Sequence, residues 1–426
     1  MRLPGRMAAA IEVLSDIDRR HRPVADALKS WGLDNRFAGS GDRAAIGNLV
    51  YDVLRKRASH AFAMGSDTPR ALVLSVAVRD WGEAPEELGD LFAQDAHAPD
   101  TLSVDEVHRL SASDPLADAP DHVQANLPDW ATRHFPFGDE MVAEGDAMAR
   151  RPPLDLRANT LKSDRGRVLK SLERFGAVET ALSPLGIRIA AGERDSRTPN
   201  VQVEESFLKG GFEVQDQGSQ ITALLAGAKP GEQILDLCAG AGGKTLALAA
   251  AMDNKGQIFA HDSDRHRLAP IYNRLTRNGV RNVQVRPPAE SLDDLAGKMD
   301  RVLIDAPCTG SGTWRRRPDA KWKLTPEQLA ARVAEQREVL TEGARFVRSG
   351  GVLTYVTCSI LSDENERQAA EFLAKHPDFE PVDLARPMYD VSPELREHVW
   401  RLPAGVMLTP RRSGTDGFFV FSARRQ

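Results

Sequence analysis

Cysteine is scarce in this 426-residue chain. Three cysteines, widely separated and without a CxxC pair, cannot build a disulfide framework and argue against a zinc or other metal site. Cys238, Cys308 and Cys358 read as free thiols. Long apolar runs are also missing: none approaches the roughly 20 residues that cross a bilayer. The N-terminal MRLPGRMAAAIEVL meets acids at Glu12 and Asp16 where a signal-peptide core would continue. A cytoplasmic protein with no membrane partner is the expectation. Excess positive charge is lacking too. The net charge is −5, and residues 1–120, with 19 acids and 14 bases, account for it. Indiscriminate, charge-driven binding to nucleic acid is therefore excluded, and any RNA contact must come from local basic patches.

With 41% hydrophobic residues the chain can bury more than one core, and its length suggests two or three domains. Residues 1–120 read as an all-α domain, with apolar residues three and four apart in RAAIGNLVYDVLRKRASHAF and PRALVLSVAVRDWG. Pro115, Pro120, Pro128 and Pro136 then punctuate a linker-like stretch. The following DLRANTLKSDRGRVLKSLERFG has the pattern of a strand, a turn and a helix, so residues 121–225 are expected to form a linker and a small α/β subdomain.

Residues 226–426 carry a different signal. Five strand-like runs, EQILDLC, GQIFAHD, NVQVRP, DRVLIDAPC and GGVLTYVTCS, alternate with helical segments. This predicts an α/β domain with a mostly parallel, Rossmann-like sheet. Ligands of such folds bind at the carboxyl ends of the strands, which directs attention to Cys238, Asp262, Asp305 to Cys308, and Cys358.

The run DLCAGAGGKT makes a glycine-rich turn between a strand and a helix, where free backbone N–H groups can approach a ligand. A phosphate loop, GxxxxGK[ST], would need glycine at position 238, which is cysteine. A dinucleotide fingerprint, GxGxxG, would begin at Gly240 and Gly242 but has Thr245 in its third place. A methyltransferase loop fits better: Asp236 lies near the end of one strand and Asp262 ends the next, placed to hold ribose hydroxyls. Cys238, Ala239, Gly240, Ala241, Gly242, Gly243, Lys244, Asp262 and Asp305 are the expected cofactor-binding residues.

Five motifs, LRANTLK at 156–162, DLCAGAGGKT at 236–245, DAPCTGSGTWRRRPD at 305–319, TCSILSDENE at 357–366 and TDGFFV at 415–420, together resemble the RNA cytosine-5 methyltransferases of the RsmB/Nop/Sun type, especially the bacterial ribosomal RNA small subunit methyltransferase B group. The helical start, with GNLVYDVLRKR, is similar to the NusB-like N-terminal domain of part of that family. Two departures stand out. The usual AAPGGK is AGAGGK here, and RPPAESLDDL replaces the segment that places an Asp near the adenine, leaving Glu290 or a backbone group for that contact.

The resemblance implies S-adenosyl-L-methionine as cofactor, Cys358 as a nucleophile that adds to carbon 6 of cytosine, and Cys308 as the residue assisting product release. Asp305 would hydrogen-bond the cytosine and Lys244 would hold cofactor or base. A buried, inert role is the commoner fate of a free cysteine, but Cys308 and Cys358 both follow strands at the ligand-binding edge. Cys238 reads as a residue lining the cofactor pocket.

Segment 311–323, SGTWRRRPDAKWK, carries five bases, one acid and two tryptophans. Charge for phosphates with rings for stacking is the composition of a single-stranded RNA surface. Trp314, Arg315, Arg316, Arg317 and Lys321 are accordingly expected to contact RNA, with Arg157, Asn159 and Lys162, and Arg411 and Arg412, extending the surface. The alternative is a basic loop whose tryptophans pack inward. Ribosomal RNA is the favoured partner, with transfer RNA open, and a monomer is expected. Two rivals remain: a DNA cytosine-5 methyltransferase, whose nucleophile follows a proline as Cys308 does, and a non-catalytic RNA-binding assembly factor.

Overall fold

The computed structural model describes residues 1–426. Seven helices between Leu3 and Leu110 form an all-α unit around one core of 24 buried residues. Its central member is Pro69–Arg79, started by Thr68, whose side chain accepts from the Ala71 N–H. Every residue from Ala71 to Ala77 is buried, so this helix is apolar on all sides and the others pack around it.

The strands are β1 (Leu154–Ala158), β2 (Val178–Glu179), β3 (Gly186–Ile189), β4 (Phe212–Val214), β5 (Gln233–Asp236), β6 (Gln257–His261), β7 (Val283–Arg286), β8 (Met299–Asp305), β9 (Val347–Thr357), β10 (Phe379–Pro381), β11 (Trp400–Arg401), β12 (Val406–Leu408) and β13 (Phe418–Arg425). The first four make a small antiparallel sheet in the order β2-β3-β1-β4. The expected strand, turn and helix of the LRANTLK region are β1 and the helix Arg165–Ser171.

The other nine form one sheet, β11-β12-β13-β9-β8-β5-β6-β7, with β10 on β13. The five strands expected from the sequence are β5 to β9, and they are mutually parallel. β13 adds antiparallel to β9, covering what would otherwise be an open edge, and β12 and β11 continue from it. The crossover from β8 to β9 contains the longest helix, Pro326–Phe346, begun by a capping box in which Thr325 and Gln328 satisfy each other's backbone N–H. Parallel pairing in the order β9-β8-β5-β6 leaves the carboxyl ends of these four strands side by side.

Residues 121–149 are not a free linker. Ala125, Leu127, Phe137 and Met148 pack with Trp314, Ile360 and Met407 in a separate core beside the large sheet.

Candidate active site

The glycine-rich turn after β5 is held from three directions. The Gly240 N–H donates to Asp262 Oδ2 at 2.9 Å, Gly242 N–H donates to Ala239 O at 2.8 Å, and Arg274 Nη1 donates to Ala241 O at 2.8 Å. Gly242 has φ +83°, and a Cβ there would lie 2.6 Å from Ile271, so glycine is required both by the backbone and by the close approach. The bond from Arg274 restrains the position where the family more often has proline. Arg274 is itself held by Glu213 of β4, at 2.8 Å.

Asp236, Asp262 and Cys238 converge behind this loop. Asp236 is fully buried, and that burial pushes its carboxyl up to about 7. One of its oxygens accepts from Thr245 Oγ1 at 2.7 Å, while Oδ1 is buried with no protein partner. An orphaned buried acceptor of this kind calls for a ligand donor. Beside it opens a cleft of about 570 Å³ lined by Cys238, His261, Asp262, Arg267, Pro307 and Val339, among others. Burial, then the neighbouring acids, drives the Cys238 thiol well above its ordinary value, which makes it an inert wall. Glu290 is turned to Arg286, 3.1 Å away, and is not part of the cleft lining.

At the ends of β8 and β9 the structure forms two pairs, Cys308 with Cys358 and Lys244 with Asp305. The two sulfur atoms are 3.4 Å apart, and both thiols are half-buried. The contact with Cys358, followed by burial, pushes the Cys308 thiol well up. Lys244 Nζ lies 2.7 Å from Asp305 Oδ1; the lysine is buried and the aspartate half-exposed. The arrangement pairs a partly accessible thiol with a second, proton-retaining thiol and an oriented carboxylate. Nucleophilic addition followed by elimination needs such a set.

A residue not singled out in the sequence ties these parts together. Glu364, completely buried, accepts from the Thr309 N–H at 2.8 Å, Thr309 Oγ1 at 2.6 Å, Gln336 Nε2 at 3.0 Å, and Ser359 Oγ. Asn365 donates to Ser359 O at 2.9 Å and accepts from Thr357 Oγ1 at 2.6 Å. The signal was present as the acidic ENE of TCSILSDENE, but nothing local shows that its first glutamate points inward.

The expected RNA surface is corrected at most of its positions. Trp314, Arg315 and Lys321 are buried. Arg315 Nε donates to Asp416 Oδ1 at 2.5 Å and Arg316 Nε to Asp416 Oδ2 at 2.6 Å, while Asp216 pairs with both guanidinium groups at 3.3 and 2.9 Å. Lys321 Nζ donates to Arg55 O at 2.9 Å and Trp322 Nε1 to Leu54 O at 2.6 Å. Arg55 Nε returns a bond to Arg315 O at 2.8 Å. The segment is thus the joint between the all-α unit and the large sheet, and its tryptophans pack inward. Only Arg317 of the group is exposed.

Arg157 and Asn159 are likewise buried. Arg157 Nε donates to Gln215 Oε1 at 2.6 Å, and Asn159 Nδ2 donates to the carbonyls of Gly210 and Asn278 at 2.8 and 3.0 Å. Lys162 is exposed, with Nζ 2.6 Å from Arg277 O. Arg411 and Arg412 pair with Glu140.

The family model for 16S rRNA methyltransferase RsmB/F matches residues 223–424. The ribosomal RNA small subunit methyltransferase B of Thermus thermophilus is 30% identical across 100% of this chain and 99% of its own length. A probable enzyme of the same name from Synechocystis is 32% identical over 71% of this chain and 67% of its own. Among solved structures, the crystal structure of PH0851 aligns with 100% of this chain and 99% of its own, at 25% identity and a TM-score of 0.73. The chain belongs to the RsmB/F family of RNA methyltransferases.

Proposed function

We propose that this protein transfers a methyl group from S-adenosylmethionine to carbon 5 of a cytosine in 16S ribosomal RNA through a covalent bond between Cys358 and carbon 6. The observation that carries the reading is the pair of thiols 3.4 Å apart at the ends of β8 and β9, beside the Lys244–Asp305 pair. S-adenosylmethionine supplies an electrophilic methyl group on a sulfonium. The cleft supports it: Asp262, at the end of β6, lines the cleft and would hold ribose hydroxyls, while Asp236 lies buried behind it.

Carbon 5 of cytosine is too weak a nucleophile to take a methyl group unaided. The Cys358 thiolate adds to carbon 6, forming the S–C6 bond and making carbon 5 enamine-like. Asp305, oriented by Lys244, hydrogen-bonds the base and favours that electron shift. Once carbon 5 carries the methyl group, a base removes its proton, the electron pair reforms the C5–C6 double bond, and the S–C6 bond breaks. Cys308 assists this last stage. A cytosine in a duplex cannot reach the thiol, so the target is unpaired or flipped out. Arg317, Lys162 and Arg411 are the expected contacts that remain exposed; Arg411 is paired with Glu140, and Arg317 and Lys162 are assigned to backbone phosphates.

The test is methyl transfer from labelled S-adenosylmethionine to total RNA of a strain lacking this gene, with the product base identified by mass. The expected product is 5-methylcytosine in 16S RNA, absent with Cys358→Ala. Label in transfer RNA alone would overturn the substrate, and a methylated base other than 5-methylcytosine would overturn the chemistry.

A further inference from the structure

Resting on that reading, we infer that Glu364 is a positioning residue for Cys308, and that it governs release of the methylated RNA more than formation of the adduct. Its carboxylate is shared between the residue that follows Cys308 and the residue that follows Cys358, so it spans the two cysteine loops. The two loops depend on it unequally. Thr309 gives both its backbone N–H and its hydroxyl to Glu364. On the other side of Cys308, Pro307 O accepts from Gln336 Nε2 at 2.9 Å, and that same nitrogen donates to Glu364. Cys308 is therefore flanked by contacts that run through one carboxylate.

The Cys358 loop has further anchors. Asn365 holds the Ser359 carbonyl at 2.9 Å and the Ser359 N–H donates to Thr357 Oγ1 at 3.3 Å, whereas Ser359 Oγ to Ser311 Oγ at 2.9 Å and Gly312 N–H to Cys358 O at 3.0 Å tie the two loops to each other beyond Thr309. Cys358 is also continuous with β9, which is paired on both sides. Loss of Glu364 loosens Cys308 while leaving Cys358 on its strand. Burial raises the Glu364 carboxyl and its bonds from Ser359, Thr309 and Gln336 oppose that rise; to the extent it is ionised it adds to the contact with Cys358 and the burial that raise the Cys308 thiol.

Glutamine at 364 preserves volume but removes one acceptor and turns an NH₂ group toward donors, leaving buried hydroxyl or N–H groups unpaired. Displacement of a reacting group by about 1 Å costs on the order of 10²-fold. The experiment compares wild type, Glu364→Gln, Thr309→Val and Cys308→Ala on in vitro transcribed 16S RNA. It measures multiple-turnover methylation, single-turnover methyl transfer and the denaturant-resistant protein–RNA adduct. Thr309→Val removes one donor to the carboxylate and spares its charge.

Glu364→Gln is expected to lose about 10²-fold in kcat with KM unchanged, to keep single-turnover transfer, and to accumulate adduct as Cys308→Ala does. Thr309→Val is expected to lose about tenfold with the same adduct accumulation. Turnover within twofold of wild type for Glu364→Gln would overturn the inference. So would adduct and turnover falling together in both variants, since that is the signature of general loss of structure. Absence of adduct in wild type and Cys308→Ala alike would instead strike the covalent reading on which the inference rests.

Discussion

Two regions of this molecule are built from charged residues and lie one loop apart. Asp236, Lys244, Asp305 and the two thiols stand at the ends of the parallel strands; Arg315, Arg316, Lys321 and their partners follow directly after β8. In the first, groups keep unused capacity. Asp236 Oδ1 has no partner, Asp305 is half-exposed, and two sulfurs face each other without other strong acceptors. In the second, the guanidinium groups are paired with Asp216 and Asp416 and the Lys321 ammonium donates to the Arg55 carbonyl. The contrast teaches that a cluster of charges is a site only where its hydrogen-bonding capacity is left open. Where it is closed, the cluster is a joint.

The largest effect that sharpens this contrast is at the open end. Cys358→Ala is expected to lower methyl transfer by at least about 10⁴-fold, measured with labelled cofactor, because removing a nucleophile removes the covalent route. Its melting temperature should stay near that of wild type.

Breaking the closed region should do the reverse. Arg315→Ala removes one of the two guanidinium groups that Asp416 and Asp216 share, leaving Arg316 as their remaining partner, and is expected to cost about 1.5–3 kcal/mol of stability in denaturant titrations. Affinity for RNA, measured below the unfolding transition, should change little. An RNA-contacting Arg315 would show the opposite pattern, with weaker binding, a shallower salt dependence and unchanged stability.

The two regions also predict opposite pH dependences. Native Asp236 keeps its proton to about 7, whereas the unfolded carboxyl loses it near 3.8, so the unfolded state gains as pH rises through that window. Asp236→Asn should remove this decline in stability. Burial lowers native Lys321 to about 7 against 10.5 when unfolded, with Arg55 as a second cause. Between those values the unfolded chain binds the extra proton, so stability rises with pH, and Lys321→Met should flatten that rise. Urea titrations of both variants across pH 4–10 check the two slopes. The smallest effect is at Arg317: Arg317→Ala should weaken RNA binding and reduce the salt slope by about 1 with stability unchanged.

How much of this was legible in the sequence follows the same division. Five parallel strands could be read because short apolar runs such as Ile234–Leu235 and Val302–Ile304 are bounded by polar ends. Cys308, Cys358 and Asp305 stood out because they follow those runs at the edge where ligands bind. Composition misled at 311–323, since the partners that close it, Asp216 and Asp416, lie 99 and 101 residues from Arg315. Arg157 and Asn159 misled for the same reason: their acceptors Gln215 and Gly210 are brought near by the pairing of β1 with β4, and Asn278 by the docking of the small sheet on the helix Ile271–Asn278. Glu364 escaped because a glutamate in an acidic run reads as solvated, while the fold encloses it with four donors. The antiparallel strands β11 and β12 are two and three residues long, too short to carry a period.

The most direct measurement of the central claim is peptide mapping by mass of the covalent complex formed with RNA containing 5-azacytosine, in wild type and in each single cysteine variant. Attachment to the peptide containing Cys358, retained in Cys308→Ala and lost in Cys358→Ala, is the result the account predicts. Attachment through Cys308 would contradict it.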